Sequence, residues 1–214
     1  MKMEMIRVEN VNLKIEKNTI LNNVTMQVNK GEIVALIGRN GSGKTMLMKC
    51  ICGFVKTTSG SIFVNEKKVG KEIDFPEKMG VIIETPGFIS QYSGMKNLWL
   101  LAKLNSTLTK NEIAKTMELV GLNPKLKRHV GKYSLGMRQR LGIAQAIMEN
   151  PDILILDEPM NGLDYQGVED VRKLLLNLKE QGKTILIASH NTEDIDVLCD
   201  HVWEMKSGEI KQIE

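Results

Sequence analysis

Short, continuous apolar runs alternate along the chain with segments in which apolar residues recur every three or four positions. Runs of the first kind, such as "EIVALIG", have the length of buried strands. They predict strands at residues 32–38, 60–64, 80–84, 152–159 and 183–190. Because strands and helices alternate, the pattern indicates an α/β domain with a largely parallel sheet.

The helical pattern is most regular in the middle and last thirds of the chain. It predicts helices over residues 44–53, 94–105, 109–121, 134–149 and 164–181. Thr109 and Glu112 have the spacing of a capping box, and Gly121 is suited to end that helix. The last two apolar segments, 201–205 and 209–213, predict a hairpin.

The helical middle interrupts the strand–helix alternation without an obvious flexible linker. We therefore expect one domain, residues 1–214, with its core formed by 1–85 and 141–214. Residues 86–140 are predicted to form an inserted helical sub-domain.

Composition narrows the class of protein. Apolar residues make up 42% and charged residues 26% of the 214 residues, as in ordinary soluble domains. The net charge of +3 is too small to indicate nucleic acid as a partner. No apolar run reaches the ~18 residues of a membrane helix, and the start lacks the apolar stretch of a signal peptide. These features predict a cytosolic chain, unless a partner holds it at a membrane. Cys50, Cys52 and Cys199 lack metal-site spacing, so we expect them to be small core residues.

The stretch "GRNGSGKT", residues 38–45, fits the phosphate-binding pattern G-x-x-x-x-G-K-[ST] between a strand and a helix. Its glycines let backbone N–H groups turn towards phosphate oxygens, and the helix start adds partial positive charge. We expect the ammonium of Lys44 to contact the β- and γ-phosphates and the hydroxyl of Thr45 to ligate Mg²⁺. The predicted ATP-binding residues are Gly38, Arg39, Asn40, Gly41, Ser42, Gly43, Lys44, Thr45 and Met46.

A second motif, "ILILDEP", ends another apolar strand at residues 153–159. Since parallel strands end at one edge of a sheet, Asp157 is predicted to lie beside the glycine-rich loop and to hold Mg²⁺. Glu158 is placed to orient and polarise an attacking water. Two adjacent acids after a strand are a weak signal alone, because helix starts often carry acids.

The segment "YSLGMRQRLGIAQAIMENPDILILDEP" at 133–159 resembles the signature region of ATP-binding cassette (ABC) ATPases. The usual L-S-G-G-Q reads here as Tyr133 followed by Ser134, Leu135, Gly136 and Met137, so the serine and second glycine are retained. Ser134 also has the properties of a helix N-cap. The resemblance implies that Ser134–Met137 contact the γ-phosphate bound by a second ABC domain.

Further matches follow in the order of that family. "NGLD" resembles the D-loop, which implies that Asp164 lies near the dimer interface. "LIASHN" resembles the switch-histidine segment, which implies that His190 contacts the γ-phosphate and the attacking water. The stretch "VIIETPGF" places Glu84 where the family usually has a glutamine that reaches Mg²⁺. We interpret Glu84 as a metal-sensing residue that supplies an oxygen ligand and couples the site to the helical sub-domain and its membrane partner. Its extra charge predicts tighter metal dependence, and the alternative is a neutral loop residue.

The family often stacks an aromatic side chain on adenine in the loop between its first strands. That position falls at Ile15, and the first 50 residues contain no aromatic residue. An aliphatic contact in its place predicts modest ATP affinity, because stacking of a base is worth ~1–3 kcal/mol in nucleic-acid systems.

The resemblance implies a P-loop NTPase of the ABC type with a mostly parallel sheet, an N-terminal antiparallel β part and a helical insertion. It implies an ATP hydrolase that uses Mg²⁺, pairs with a second ABC ATPase domain and drives a separate transmembrane permease. "ETPGF" and "YSLGMRQRLGIA" resemble the bacitracin-resistance and lantibiotic-immunity exporters. The alternatives are a non-transport ABC ATPase, a nucleotide kinase, and a regulatory module in which ATP acts only as a switch.

Overall fold

A computed structural model of the chain describes residues 3–105 and 107–213. Ten strands form two sheets. The strands are β1 (Glu4–Ile15), β2 (Asn18–Asn29), β3 (Ile33–Ile37), β4 (Ser59–Val64), β5 (Lys67–Lys68), β6 (Met79–Ile82), β7 (Ile153–Asp157), β8 (Thr184–Ala188), β9 (His201–Lys206) and β10 (Glu209–Gln212). Residues 1–2, 106 and 214 of the predicted domain lie outside the described residues.

The larger sheet has the order β10-β9-β3-β8-β7-β6, and only the β9–β10 hairpin is antiparallel. Its central strands are buried on both faces, which explains their continuous apolar runs. Leu154 and Leu156 of β7 point into one apolar cluster, while Ile153 and Ile155 point into the other. The predicted parallel core is confirmed.

The smaller sheet has the order β2-β1-β4-β5 and is antiparallel throughout. Helix α1 (Lys44–Ile51) lies between the two sheets, because Leu47 and Met48 belong to the same cluster as Val8 and Val34. The N-terminal antiparallel part is therefore present as predicted, and it holds the start of α1 against the main sheet.

The opposite face of the main sheet is covered by helices. They are α2 (Gly94–Asn105), α3 (Lys110–Leu119), α4 (Leu135–Ile147), α5 (Tyr165–Glu180) and α6 (Thr192–Leu198), with a 3-10 turn at Val130–Lys132. Leu98 of α2, Met117 of α3 and Leu141 of α4 share one apolar cluster with Leu154 of the sheet. The predicted sub-domain boundary at 140/141 falls inside α4, a single continuous helix; the division into two parts stays a prediction.

Several strands are shorter than predicted. Strand β6 ends at Ile82, so Glu84 lies in the following bend with a left-handed backbone (φ 62°). Strand β8 ends at Ala188, so His190 also lies in a loop. At β6 the apolar run continues through Ile83 beyond the strand end, which caused the overextension there. Helix α6 was not predicted.

The other local predictions fare well. Thr109 and Glu112 form both bonds of the capping box at α3. Cys50 and Cys52 are buried in the core, and burial raises the pKa of their thiols to about 11 and about 12. Within residues 3–105 and 107–213, no helix is both long and apolar enough to cross a bilayer.

Candidate active site

The glycine-rich loop joins β3 to α1 and has a backbone that only glycine adopts easily. Gly38, Gly41 and Gly43 have φ of 144°, 79° and 115°. A Cβ atom at Gly38 would lie 2.2 Å from the carbonyl oxygen of Met205. The first glycine therefore lets the loop pass against β9.

Two donors of this loop are buried and face the cleft beside it. Lys44 is 7% exposed, and its Nζ donates to the carbonyl oxygens of Gly38 (2.6 Å) and Arg39 (3.3 Å). Ser42 is also 7% exposed, and its Oγ has no hydrogen-bond partner among the described residues. A buried ammonium and an unpaired hydroxyl at a helix start form a donor set that fits a phosphate anion.

The second motif meets the loop at the carboxyl edge of the sheet. The hydroxyl of Thr45, at the start of α1, donates to Oδ2 of Asp157 at the end of β7, with an oxygen–oxygen distance of 2.8 Å. Hydroxyl and carboxylate oxygens are ligands that Mg²⁺ accepts. The structure thus brings together two of the three predicted metal ligands.

Glu158 follows directly and is held from three sides. Its backbone is left-handed (φ 49°), and its N–H donates to the carbonyl of Ala188 at 2.9 Å. Nε2 of Gln139 donates to the carbonyl oxygens of Glu158 (3.3 Å) and Pro159 (2.9 Å). Its Oε2 lies 2.9 Å from Nδ1 of His190. The predicted base and histidine are therefore in direct contact.

His190 itself is 70% exposed, so packing of its own ring does not fix its position. The residues on either side of His190, Ser189 and Asn191, are instead linked by hydrogen bonds to a buried ion pair. The Ser189 hydroxyl donates to Asp194 at 3.4 Å and accepts from the backbone N–H of Asn191 at 3.1 Å. Asp194 pairs with Arg172 of α5, with Oδ1 2.6 Å from Nη2 and 2.9 Å from Nε.

The charges around Arg172 reinforce that anchor. The hydrogen bond with Glu193, followed by those with Asp194 and Glu169, raises the pKa of Arg172 above its ordinary value. The side chains of Arg172 and Asp194 are almost fully buried. Loss of Arg172 would leave the buried Asp194 carboxylate without this ion pair, whereas loss of Asp194 would leave Arg172 with the more exposed Glu169 and Glu193.

A cleft of about 710 Å³ joins these elements. It is lined from the loop and α1 by residues 40–46, and from the opposite side by Leu135, Arg138, Gln139, Asp157 and Glu158. Arg39 and His190 line a neighbouring cleft of about 810 Å³ on the other side of the loop. Every predicted ATP-binding residue therefore lines one of the two clefts, apart from Ile15, which lies on β1.

The signature turn is exposed at the start of α4. The hydroxyl of Ser134 accepts from the backbone N–H of Met137 at 3.2 Å, which confirms the predicted N-cap. Leu135 is 57% exposed and packs on Gly162, where a Cβ atom would lie 2.4 Å from the leucine side chain. Asp164 caps α5 by accepting from the N–H of Gly167 at 2.9 Å.

Comparison with known proteins decides the family. Residues 21–161 match the family model described as ABC transporter. YybJ of Bacillus subtilis, an uncharacterized ABC transporter ATP-binding protein, is 45% identical over 98% of this chain and 96% of its own length. The chain belongs to the ABC transporter family.

Several relatives in this family have a named transport role, and two of them serve as examples. The bacitracin transport ATP-binding protein BcrA of Enterococcus faecalis is 41% identical over 96% of this chain and 67% of its own length. The lantibiotic transport ATP-binding protein SrtF of Streptococcus pyogenes is 38% identical over 96% of this chain and 89% of its own length. The predicted kinship with that type of ABC ATPase is confirmed.

The fold agrees with solved structures. The ATP-binding cassette MJ0796, solved as a dimer in a post-hydrolysis state with ADP and phosphate, superimposes with a TM-score of 0.88. It is 23% identical, and the alignment covers 98% of both chains. This likeness confirms the predicted ABC-type P-loop fold. The family match and the named relatives confirm the class of ATP hydrolase, and they do not favour the non-transport alternatives.

Two residues predicted to contact Mg-ATP, Glu84 and Ile15, have surroundings in the structure that differ from the expected ones. Glu84 lines the main cleft, yet its carboxylate accepts from Nζ of Lys49 on α1 at 2.6 Å. Ile15 ends β1, is 45% exposed and does not line either cleft, whereas Ile20 of β2 lines the main one. The prediction for Ile15 depended on its distance along the sequence from "ILNNV", and that distance does not show which side chain faces the cleft.

The sequence interpretation of the site missed the residues that support it. The role of Gln139 as a donor to the Glu158 carbonyl depends on how α4 packs against β7, which no local pattern reveals. Lys49 lies five positions after Lys44 in the same helix, and its pairing with Glu84 depends on tertiary contact. In the sequence, Arg172 and Asp194 look like ordinary charged residues on a helix surface. The signal that could have revealed their buried ion pair is their position on the buried faces of α5 and α6.

Proposed function

We propose that this ABC ATPase is the Mg²⁺-dependent motor subunit of a membrane exporter of antimicrobial peptides. The named relatives support the class of cargo. The observation that carries the catalytic part is the double contact at the sheet edge, where Thr45 meets Asp157 and Glu158 meets His190.

The loop and α1 supply the binding part of the reaction. The Lys44 ammonium is desolvated, so its attraction to phosphate oxygens is stronger than in water. Its present bonds to two carbonyl oxygens keep it extended along the loop. Thr45 and Asp157 would hold Mg²⁺, and Glu84 is proposed as a further ligand once it leaves Lys49. Bound Mg-ATP supplies the phosphoryl group and the compensating divalent charge.

Glu158 and His190 supply the hydrolytic part. The fixed backbone of Glu158 directs its carboxylate towards the cleft, where it accepts a hydrogen bond from the attacking water and withdraws its proton. Nδ1 of His190 contacts Oε2 of Glu158, and in this proposal the ring also contacts the terminal phosphate. Gln139 keeps the Glu158 backbone in place through two carbonyl contacts.

A second ABC ATPase domain completes each site in this proposal. Ser134 satisfies only one backbone donor of α4, and the turn of Ser134–Met137 faces solvent with helix-start N–H groups available to an anion. In a head-to-tail pair, the turn of one domain closes over the phosphates held by the other, with Asp164 at the interface. Hydrolysis then removes the charge that joins them.

The proposed permease contact lies beside the Glu84 loop. A groove of about 250 Å³ is lined there by Phe54, Val81, Ile83 and Pro86, among others. In the segment that follows this groove along the chain, Ile89 is exposed, whereas Phe88 packs against the core and Tyr92 is half-buried beneath Lys96. This docking would place the chain in the cytoplasm, peripheral at the inner face of the membrane, with no nucleic-acid partner.

The substitution Glu158→Gln tests the proposed mechanism. It removes the proton acceptor and keeps the shape, so we expect ATP turnover to fall by at least about a hundredfold while ATP binding is retained. Turnover is measured by phosphate release in the purified chain. The exposed Glu180→Gln serves as a matched control and should keep the parent rate. Turnover of Glu158→Gln at the parent rate would show that another group activates the water.

A further inference from the structure

Charge is distributed unevenly between the helical insertion and the rest of the chain. Segment 94–132 contains eight lysine or arginine residues and two glutamates, whereas the whole chain contains 29 basic and 26 acidic residues. The remainder therefore carries 21 basic and 24 acidic residues. The insertion is strongly basic although the nucleotide site lies elsewhere. This positive charge therefore indicates an anionic partner other than the nucleotide.

Helix α2 displays part of this charge together with exposed leucines. Lys96, Leu100, Lys103 and Leu104 follow one another at helical spacing and form what we call the α2 outer face. Leu104 is 77% and Leu100 39% exposed, while Leu98 and Ala102 on the opposite side are buried. The helix contains no acidic residue.

Aromatic rings flank the α2 outer face and contact its lysines. The Lys96 ammonium lies 3.5 Å from the centre of the Tyr92 ring. The ammonium groups of Lys103 and Lys110 lie 4.6 Å and 5.2 Å from the centre of the Trp99 ring. Exposed lysine and leucine with half-buried tryptophan and tyrosine beside them form the composition that favours the boundary between lipid headgroups and acyl chains.

We propose that the α2 outer face binds the surface of an anionic lipid bilayer. Lysines contribute attraction to negative headgroups, and the leucines enter the acyl boundary without needing a shaped pocket. The inference rests on the proposed transporter function, which brings the chain to a membrane. Lipid suits this face better than the permease does, because the permease groove is concave and has a different set of lining residues.

Binding to protein-free vesicles tests the proposal directly. The purified full chain is sedimented with vesicles of pure phosphatidylcholine, or of phosphatidylcholine with 30% phosphatidylglycerol. We expect at least about tenfold stronger partition to the anionic vesicles, with loss of binding in 0.5 M salt. Replacing both Lys96 and Lys103 by glutamine should weaken it about thirtyfold, since each surface lysine contributes about fivefold. Leu104→Ser should weaken it about fivefold.

A control variant with the same change of net charge distinguishes binding by the α2 outer face from nonspecific attraction of a basic protein to anionic vesicles. Lys67→Gln with Lys71→Gln removes two exposed lysines next to the antiparallel sheet and should change partition less than about twofold. ATP turnover without vesicles should be unchanged in all these variants. Equal partition to both vesicle types, or an equal loss in the control pair, would overturn the lipid proposal. Since turnover is measured separately, the motor function would be judged independently.

Discussion

The catalytic edge of the sheet and the start of helix α4 differ in how much of their chemistry is satisfied within the chain. At the edge, Thr45 is bonded to Asp157 and Glu158 to His190. At the start of α4, Ser134 and Leu135 are exposed and their helix start faces solvent. This difference is what the proposed sharing of sites requires: one chain carries a nearly assembled hydrolytic half, and its exposed helix start would complete the site of another ABC ATPase domain.

The largest expected effect is at the catalytic edge, in Lys44→Ala. It removes a buried ammonium that makes charge-assisted hydrogen bonds, so ATP affinity should fall by at least about a hundredfold. Equilibrium binding of a fluorescent ATP analogue measures this loss. The exposed Lys56→Ala is the matched control and should bind as the parent does. Parent-like affinity in Lys44→Ala would mean that the edge does not bind the phosphates.

The next effect tests whether the chain itself holds the His190 loop. Asp194→Asn removes the almost fully buried carboxylate that pairs with Arg172 and leaves the more exposed Glu169 and Glu193, so the free energy of unfolding should fall by about 3 kcal/mol. For a chain of this size the melting temperature should fall by roughly 10 °C. Asp196→Asn, two positions along α6 and exposed, should melt within about 1 °C of the parent. A small shift in Asp194→Asn would show that the loop is not anchored there.

The smallest expected effect on ATP affinity is that of a substitution at Glu84, in the loop that follows β6. Because the Glu84 side chain of the Glu84–Lys49 pair is 63% exposed, Glu84→Gln should change ATP affinity less than about threefold. Transport per ATP in a reconstituted exporter should change more than that, since the loop lies beside the proposed permease groove. Lys49→Gln leaves the carboxylate unpaired and indicates whether the pair restrains it. Unchanged coupling in Glu84→Gln would leave Glu84 a neutral loop residue.

The contrast between local backbone geometry and contacts of distant segments explains which features the sequence could predict. Residues whose role follows from local backbone geometry were found, such as Gly38, Lys44 and Asp157, because a fixed spacing after a buried strand determines where they lie. The Ser134 N-cap was found for the same reason. Contacts between distant segments were missed, including Lys49 with Glu84 and Gln139 with the Glu158 carbonyl, because they depend on how helices pack on the sheet. Strand ends were overextended where apolar residues continue into a loop, as at Ile83.

The mass of Glu158→Gln in saturating Mg-ATP tests most directly whether two domains share each site. Sedimentation velocity should give a particle of twice the 24.0 kDa chain mass, which reverts to single chains when nucleotide is removed. Adding Ser134→Ala and Gly136→Ala should weaken that pairing. A single-chain mass in Mg-ATP, even with a related ABC ATPase and a permease supplied, would contradict the account.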